Sequence, residues 1–218
     1  MAESADECDG KPQTQQPASE FSISKDQIES LPSGGFDGDI SLIETWEKAE
    51  WAARVLRKRR VLGFDTETRP SFRKGESHPT ALIQLATEKY AFLFRLNCTG
   101  MTPGLRALLE DASVLKVGQG LKYELRLLEK EHRVRGRGFV DLLEAAHRHN
   151  FTPKNVKGMA AMFLGIRISK AAQTSNWENR CLSAKQVCYA ATDAWACLMI
   201  YRKIAELRLA LPKPGMLR

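Results

Sequence analysis

The stretch "RVLGFDTET", residues 60–68, limits the possible folds more than any other part of this sequence. Its apolar half has the length and content of a buried strand, and it runs without a break into two acids. Successive strand side chains point to opposite faces, so Asp65 and Glu67 share one face. Such a strand belongs inside a sheet and brings its acids out at one end. On the pair alone two readings stand. The acids either decorate a solvated strand end or converge on a cation that offsets their mutual repulsion. Oxygen-only donors at this spacing suit Mg²⁺ or Mn²⁺ better than zinc.

The surrounding pattern supplies the rest of a sheet. "DISLIET" offers a short strand, and "TWEKAEWAARVLRKR" a helix capped by Thr45, with Trp46, Ala49, Ala53 and Leu56 at helical spacing. "ALIQLATEKYAFLFRL" reads as two strands around a tight turn near Thr87–Lys89. "GLRALLEDA" is a helix, "VLKVGQG" a short buried strand, and "LKYELRLLEKEH" a helix with Leu121, Leu125 and Leu128 on one face. "GFVDLLEAAHRHN" predicts a strand turning into a helix. "NVKGMAAMFLGI" and the long "SAKQVCYAATDAWACLMIYRKIAEL" predict two more helices. The N-terminal half is strand-rich with interleaved helices and the C-terminal half is helical. That order fits an α/β fold, a mixed central sheet flanked by helices. Acids at the end of a central strand sit where such sheets place ligands. Phe64 and Leu85 are core candidates.

Length and composition set the organisation. With 218 residues, 43% hydrophobic and 27% charged, the chain suits one medium domain plus a tail. Residues 1–20 are polar and aperiodic, as a disordered tail would be. "LPSGGFDGD" reads as irregular approach structure, the folded domain as residues 36–209, and residues 210–218 as a loose end. No apolar run reaches the ~18–20 residues of a membrane span. The N-terminus lacks a basic segment followed by an apolar one, so an intracellular, cytoplasmic location is expected. Five cysteines without a C-x-x-C argue against a disulfide framework and against zinc. The net charge of +7 is compatible with a polyanionic partner. "RVLRKRR" and "EHRVRGRGF" are basic runs that either touch phosphates or are simply solvated.

Two further segments carry acids. In "YAATD", Tyr189 and Asp193 are four apart and stack on one helix face. In "KVGQGLKYELRLL", two glycines permit a tight turn between strand and helix, and Glu124 falls near the start of that helix. Taken alone, Glu124 is also what a helix dipole favours.

As an ordered set, these motifs resemble the DEDD superfamily of 3′–5′ exonucleases. They look most like its DEDDy branch, which contains ribonuclease D and the Werner-syndrome exonuclease domain. "HPTALIQLAT" is similar to the family's second strand, and "SNWENRCLSAKQVCYAATDA" to the segment before its last acid. The resemblance covers about residues 36–205. It implies a ribonuclease H-like fold and two divalent metal ions, Mg²⁺ or Mn²⁺. It also implies hydrolysis of single-stranded or frayed nucleic acid, DNA or RNA, from the 3′ end to nucleoside 5′-monophosphates. In the family pattern Asp65 bridges both metals, Glu67 and Asp193 complete the tighter site, and Tyr189 positions the attacking water. Glu124 stands where the family usually carries Asp and would help hold the second metal.

Glu124 keeps the charge but adds a methylene. That leaves open full activity with local adjustment, a shift towards Mn²⁺, or a weakened enzyme. The alternative function is an exonuclease-fold module that binds nucleic acid or protein. A third is a metal-dependent phosphoesterase acting on small nucleotides. Gln119, Lys122 and Arg180 are candidate substrate contacts. Trp177 either stacks on a terminal base or packs under the last helices.

Overall fold

In the computed structural model, residues 21–214 are described, except 72, 74 and 170. The expected tail over residues 1–20 lies outside the described residues. The elements are α1 (Lys25–Ser30), β1 (Asp39–Ile43), α2 (Trp46–Leu56), β2 (Val61–Thr68), β3 (Thr80–Ala86), β4 (Tyr90–Arg95), α3 (Leu96–Thr99), α4 (Pro103–Glu110), β5 (Leu115–Gly118), α5 (Lys122–His132), β6 (Phe139–Asp141), α6 (Leu142–Arg148), α7 (Val156–Leu164) and α8 (Ala184–Glu206). One mixed sheet has the strand order β1-β4-β3-β2-β5-β6. β2 is central, antiparallel to β3 and parallel to β5. The sequence reading of a mixed sheet between helices therefore matches the architecture.

Alternation along β2 assigns its two faces. Leu62 and Phe64 point into an apolar layer with Ala49, Ala52, Ala53 and Leu56 of α2, Leu105 and Leu108 of α4, and Leu125 and Leu128 of α5. Gly63, Asp65 and Glu67 lie on the other face, under α8. There the helix offers small residues, Ala190, Ala191 and Ala194, which allow close approach. Gly63 has to be glycine for this reason. A Cβ at that position would stand 1.9 Å from the carbonyl oxygen of Ala194. The backbone of α8 thus rests on the middle of β2, one residue from Asp193. Phe64 and Leu85 are both fully buried, as expected.

Three local expectations change. Trp46 is exposed rather than part of the buried face of α2, because it occupies the first helical position beyond its N-cap, Thr45. Folded structure begins before residue 36. Ser24 and Gln27 form a capping box that starts α1, and Phe21 sits against Phe151 and Phe163. The segment after α8 is not loose at its start. His149 Nε2 is 2.9 Å from the carbonyl of Ala210, Arg148 donates to that of Leu211, and Pro212 is buried. No described helix is long and apolar enough to cross a membrane.

Candidate active site

β2 carries Asp65 and Glu67 out of the core at its C-terminal end. A shift of register between Glu67 and Thr68 marks the point where pairing with β3 becomes irregular. α8 brings in Tyr189 and Asp193. Its start is fixed by a capping box between Ser183 and Gln186, and Ala194, packed on Gly63, sets its height over the strand. Ligand oxygens of Asp65, Glu67 and Asp193 all lie within 4.8 Å of one another. The Tyr189 phenol lies beside the Asp193 carboxylate. Asp193 Oδ1 is buried with no hydrogen-bond partner among the described residues.

The electrostatics follow from this crowding. Burial, then repulsion from Asp193 and Glu124, holds the Asp65 carboxyl well above the usual carboxylate range. Glu67 is pushed up to about 9, by burial first and then by Asp65 and Asp193. Asp193 is raised by burial, while the neighbouring Tyr189 phenol and the Lys157 charge pull it back. Burial and the nearby carboxylates keep the Tyr189 phenol protonated. Three crowded acids driven to keep their protons form a donor set whose repulsion a cation would relieve. The all-oxygen donor set and the bare Asp193 oxygen fit a divalent metal.

Glu124 lies in the first turn of α5. It is not one of the three converging acids, yet it is close enough to raise Asp65. Its Oε2 is also buried without a partner among the described residues, and burial raises its own carboxyl. The turn in front of it is built by Asp141. Asp141 Oδ1 accepts from Gly120 N and Leu143 N at 2.8 Å each, and Oδ2 accepts from Leu121 N at 2.9 Å. Gly120, at φ +73°, supplies the left-handed step this turn needs.

A cavity of about 440 Å³ opens over the acids, walled also by Gln119, Asn155, Lys157 and Gln173. A larger cavity of about 600 Å³ shares Tyr189 but is mostly apolar and holds none of the converging acids.

A 3′–5′ exonuclease family model matches residues 40–207. The chain belongs to the 3′–5′ exonuclease family. It is 34% identical over 153 residues to the mouse bifunctional 3′–5′ exonuclease/ATP-dependent helicase WRN, covering 67% of this chain and 11% of that protein. It is 28% identical to an Arabidopsis thaliana 3′–5′ exonuclease, covering 86% of this chain and 70% of the relative. Against the first relatives the chain spans a minor part of their length, from 11% to 40%. In fold it resembles the Aedes aegypti Nibbler EXO domain, with TM-score 0.71 and 21% identity over 81% of this chain and 95% of that one. It also resembles Escherichia coli RNase D, with TM-score 0.68 and 21% identity over 77% and 44%. The fold is thus α/β of the ribonuclease H-like kind, as the resemblance implied.

Within this exonuclease fold the remaining expected residues divide. Gln119 lines the acidic cavity and donates to the Lys154 carbonyl at 3.1 Å. Lys122 and Arg180 are exposed and lie outside that cavity's walls. Trp177 takes the packing role, not the base-stacking one. It is 1% exposed and packed against the Tyr189 ring, with centroids 6.1 Å apart, so no face is left for a base. Its segment is tied down by a buried arginine that the sequence reading passed over. Arg95 donates to Glu44 Oε1 at 2.6 Å and to the carbonyls of Asn179 and Arg180.

Lys157 was missed as well. Its ammonium lies 5.1 Å from the Tyr189 ring centroid, and its charge lowers both Glu67 and Asp193. The available signal was Asn155, whose side chain accepts from Gly158 N and starts α7, putting Lys157 in the first turn.

Proposed function

We propose that the protein is a divalent-metal-dependent 3′–5′ exonuclease that releases nucleoside 5′-monophosphates from a 3′ end, with Mg²⁺ or Mn²⁺ at two sites. The observation that carries this reading is the convergence of Asp65, Glu67 and Asp193 within 4.8 Å, with a buried Asp193 oxygen left bare. Asp65, Glu67 and Asp193 would hold one ion, and Asp65 with Glu124 the other. Bound ions would supply Lewis-acid polarisation of the scissile phosphate and help activate water.

The chain's own groups then have defined parts. Tyr189 stays protonated, so it orients water as a hydrogen-bonding group rather than acting as a base. Asp193, beside the phenol, helps keep it protonated. Lys157 adds positive charge beside the acids, where the scissile phosphate would enter. Water adds to phosphorus, the bond to the 3′ oxygen of the preceding nucleotide breaks, and that oxygen takes a proton. A catalytically weakened module that binds nucleic acid or protein is the second reading. It draws on Glu124 standing outside the three converging acids.

The deciding assay uses 5′-labelled DNA and RNA oligonucleotides with Mg²⁺, Mn²⁺ or EDTA, and an Asp193→Ala protein alongside. The expected result is a metal-dependent ladder shortening from the 3′ end and absent in the variant. Undegraded oligonucleotide with either metal would favour the binding module.

A further inference from the structure

The sheet has a second end, and its charge is opposite. α2 closes with the run Arg57, Lys58, Arg59 and Arg60, which feeds directly into β2. Beside it, the β3–β4 turn presents Lys89, and α8 presents Arg202. Arg59, Arg60, Lys89 and Arg202 wall one cavity of about 240 Å³, floored by Val61 and Leu198. Tyr90, 44% exposed, stands at its rim. Arg202 is paired with Glu88 and Arg57 with Asp111. Arg59, Arg60 and Lys89 enter no ion pair with a described residue. Glu88 also lines the cavity, where it pairs with Arg202, and Asp39, opposite Tyr90 in the β1–β4 register, enters no ion pair with a described residue.

Three unpaired cations facing one hollow cost free energy through mutual repulsion unless anions occupy it. An exposed aromatic beside them adds a flat apolar surface. Cations that track a backbone, combined with an aromatic that stacks a base, are the parts from which sequence-tolerant single-strand binding is built. Seven residues of strand separate Arg60 from Glu67, or roughly 23 Å at about 3.3 Å per residue. At ~3.4 Å per stacked nucleotide, even that straight distance takes about seven nucleotides, and a path around the body takes more.

We propose that this basic cavity is a second nucleic-acid site, which holds the single-stranded substrate upstream of the 3′ end being cut. The proposal rests on the nuclease reading. α8 covers the direct line between the two sites, so the strand passes around the body rather than through it. The site contributes affinity for long strands and nothing to very short ones.

The test is the triple variant Arg59→Ala/Arg60→Ala/Lys89→Ala against the parent, on a 20-nucleotide single strand and on a trinucleotide. KM for the 20-mer is expected to rise about tenfold or more at similar kcat, with the trinucleotide KM within twofold. Equal shifts for both lengths, or none, would overturn the site. A second readout needs no cleavage. Anisotropy of a labelled 20-mer in EDTA, in an Asp193→Asn background, gives the slope of log Kd against log salt. Loss of three phosphate contacts reduces that slope by about 2, and an unchanged slope rejects the proposal. If the parent cuts neither length, the nuclease reading fails while the salt slope still decides this one. Melting temperature checks folding of the triple variant. Lys89→Glu, on an exposed turn, is the single substitution expected to move the 20-mer KM in the same direction. Tyr90→Ala is expected to weaken 20-mer binding fivefold or more.

Discussion

Asp193 and Asp141 are both 7% exposed, yet they are held in opposite ways. Asp141 receives three backbone N–H groups, from Gly120, Leu121 and Leu143. Asp193 receives no such backbone donor, keeps one oxygen bare and faces two more carboxylates beside the Tyr189 phenol. A buried carboxylate fed by backbone donors is part of the wall. One that is crowded by its own kind needs a cation from outside. Burial alone cannot tell the two apart; the partner inventory does.

Asp193→Asn is the sharpest break in this contrast. Metal-dependent hydrolysis should fall on the order of ten-thousandfold or more, the scale seen when one member of a cooperating set is removed. The EDTA-treated variant should melt higher than the parent, because a like charge has gone. A lower melting temperature would mean that Asp193 is a wall residue like Asp141.

Glu124 sits between the two types, with a bare buried oxygen but no place among the converging three. Glu124→Gln should cost about a hundredfold in kcat, the size of effect a misplaced catalytic contact produces. Glu124→Asp should stay within about tenfold of the parent and move the Mg²⁺-to-Mn²⁺ activity ratio. Equal activity of Gln and Asp variants would remove Glu124 from the metal site.

Asp141→Ala reverses the Asp193 signs. It strands N–H groups in and beside the turn before α5, at ~1–3 kcal/mol for each buried one. Roughly 3 kcal/mol should be lost in chemical denaturation, with or without metal. A stability change under 0.5 kcal/mol would show that water replaces the carboxylate there.

The smallest effect is a pH slope. Below the ordinary carboxylate pKa, the acids are neutral folded and unfolded. As pH rises, the unfolded chain ionises first while Glu67, pushed up to about 9, and its neighbours keep their protons. The folded state then binds more protons, so stability falls from about pH 5 towards pH 9. Saturating metal should flatten this slope and release protons on binding. Calorimetry at three pH values, with EDTA and with Mg²⁺, reads both. A melting temperature that climbs with pH in EDTA would contradict the crowding.

Much of this was legible in the sequence because its causes are local. The alternation of "RVLGFDTET" places Asp65 and Glu67 on one face, and the four-residue spacing of Tyr189 and Asp193 places those two together. What was not legible depends on contacts far along the chain. Arg95 acquires its role from carbonyls about 85 positions away. Trp177 offers a ring to solvent or to Tyr189 according to where that segment is pinned. Lys157 points into the acids only once α7 is laid beside α8. Phe21 takes its place from Phe151 and Phe163, far along the chain, whereas the Ser24–Gln27 capping box that starts α1 is a local pattern.

The contact between Gly63 and the Ala194 carbonyl has a consequence for reading variant libraries. In a saturation scan scored by activity alone, position 63 would sort with the three converging acids, since any side chain there lifts α8 off the strand and carries Tyr189 and Asp193 with it. Scoring cellular abundance in parallel separates the two causes. Gly63 variants drop in both channels, whereas Asp193 variants stay abundant and lose only turnover. A selection that reports one channel would mistake a spacing constraint for chemistry.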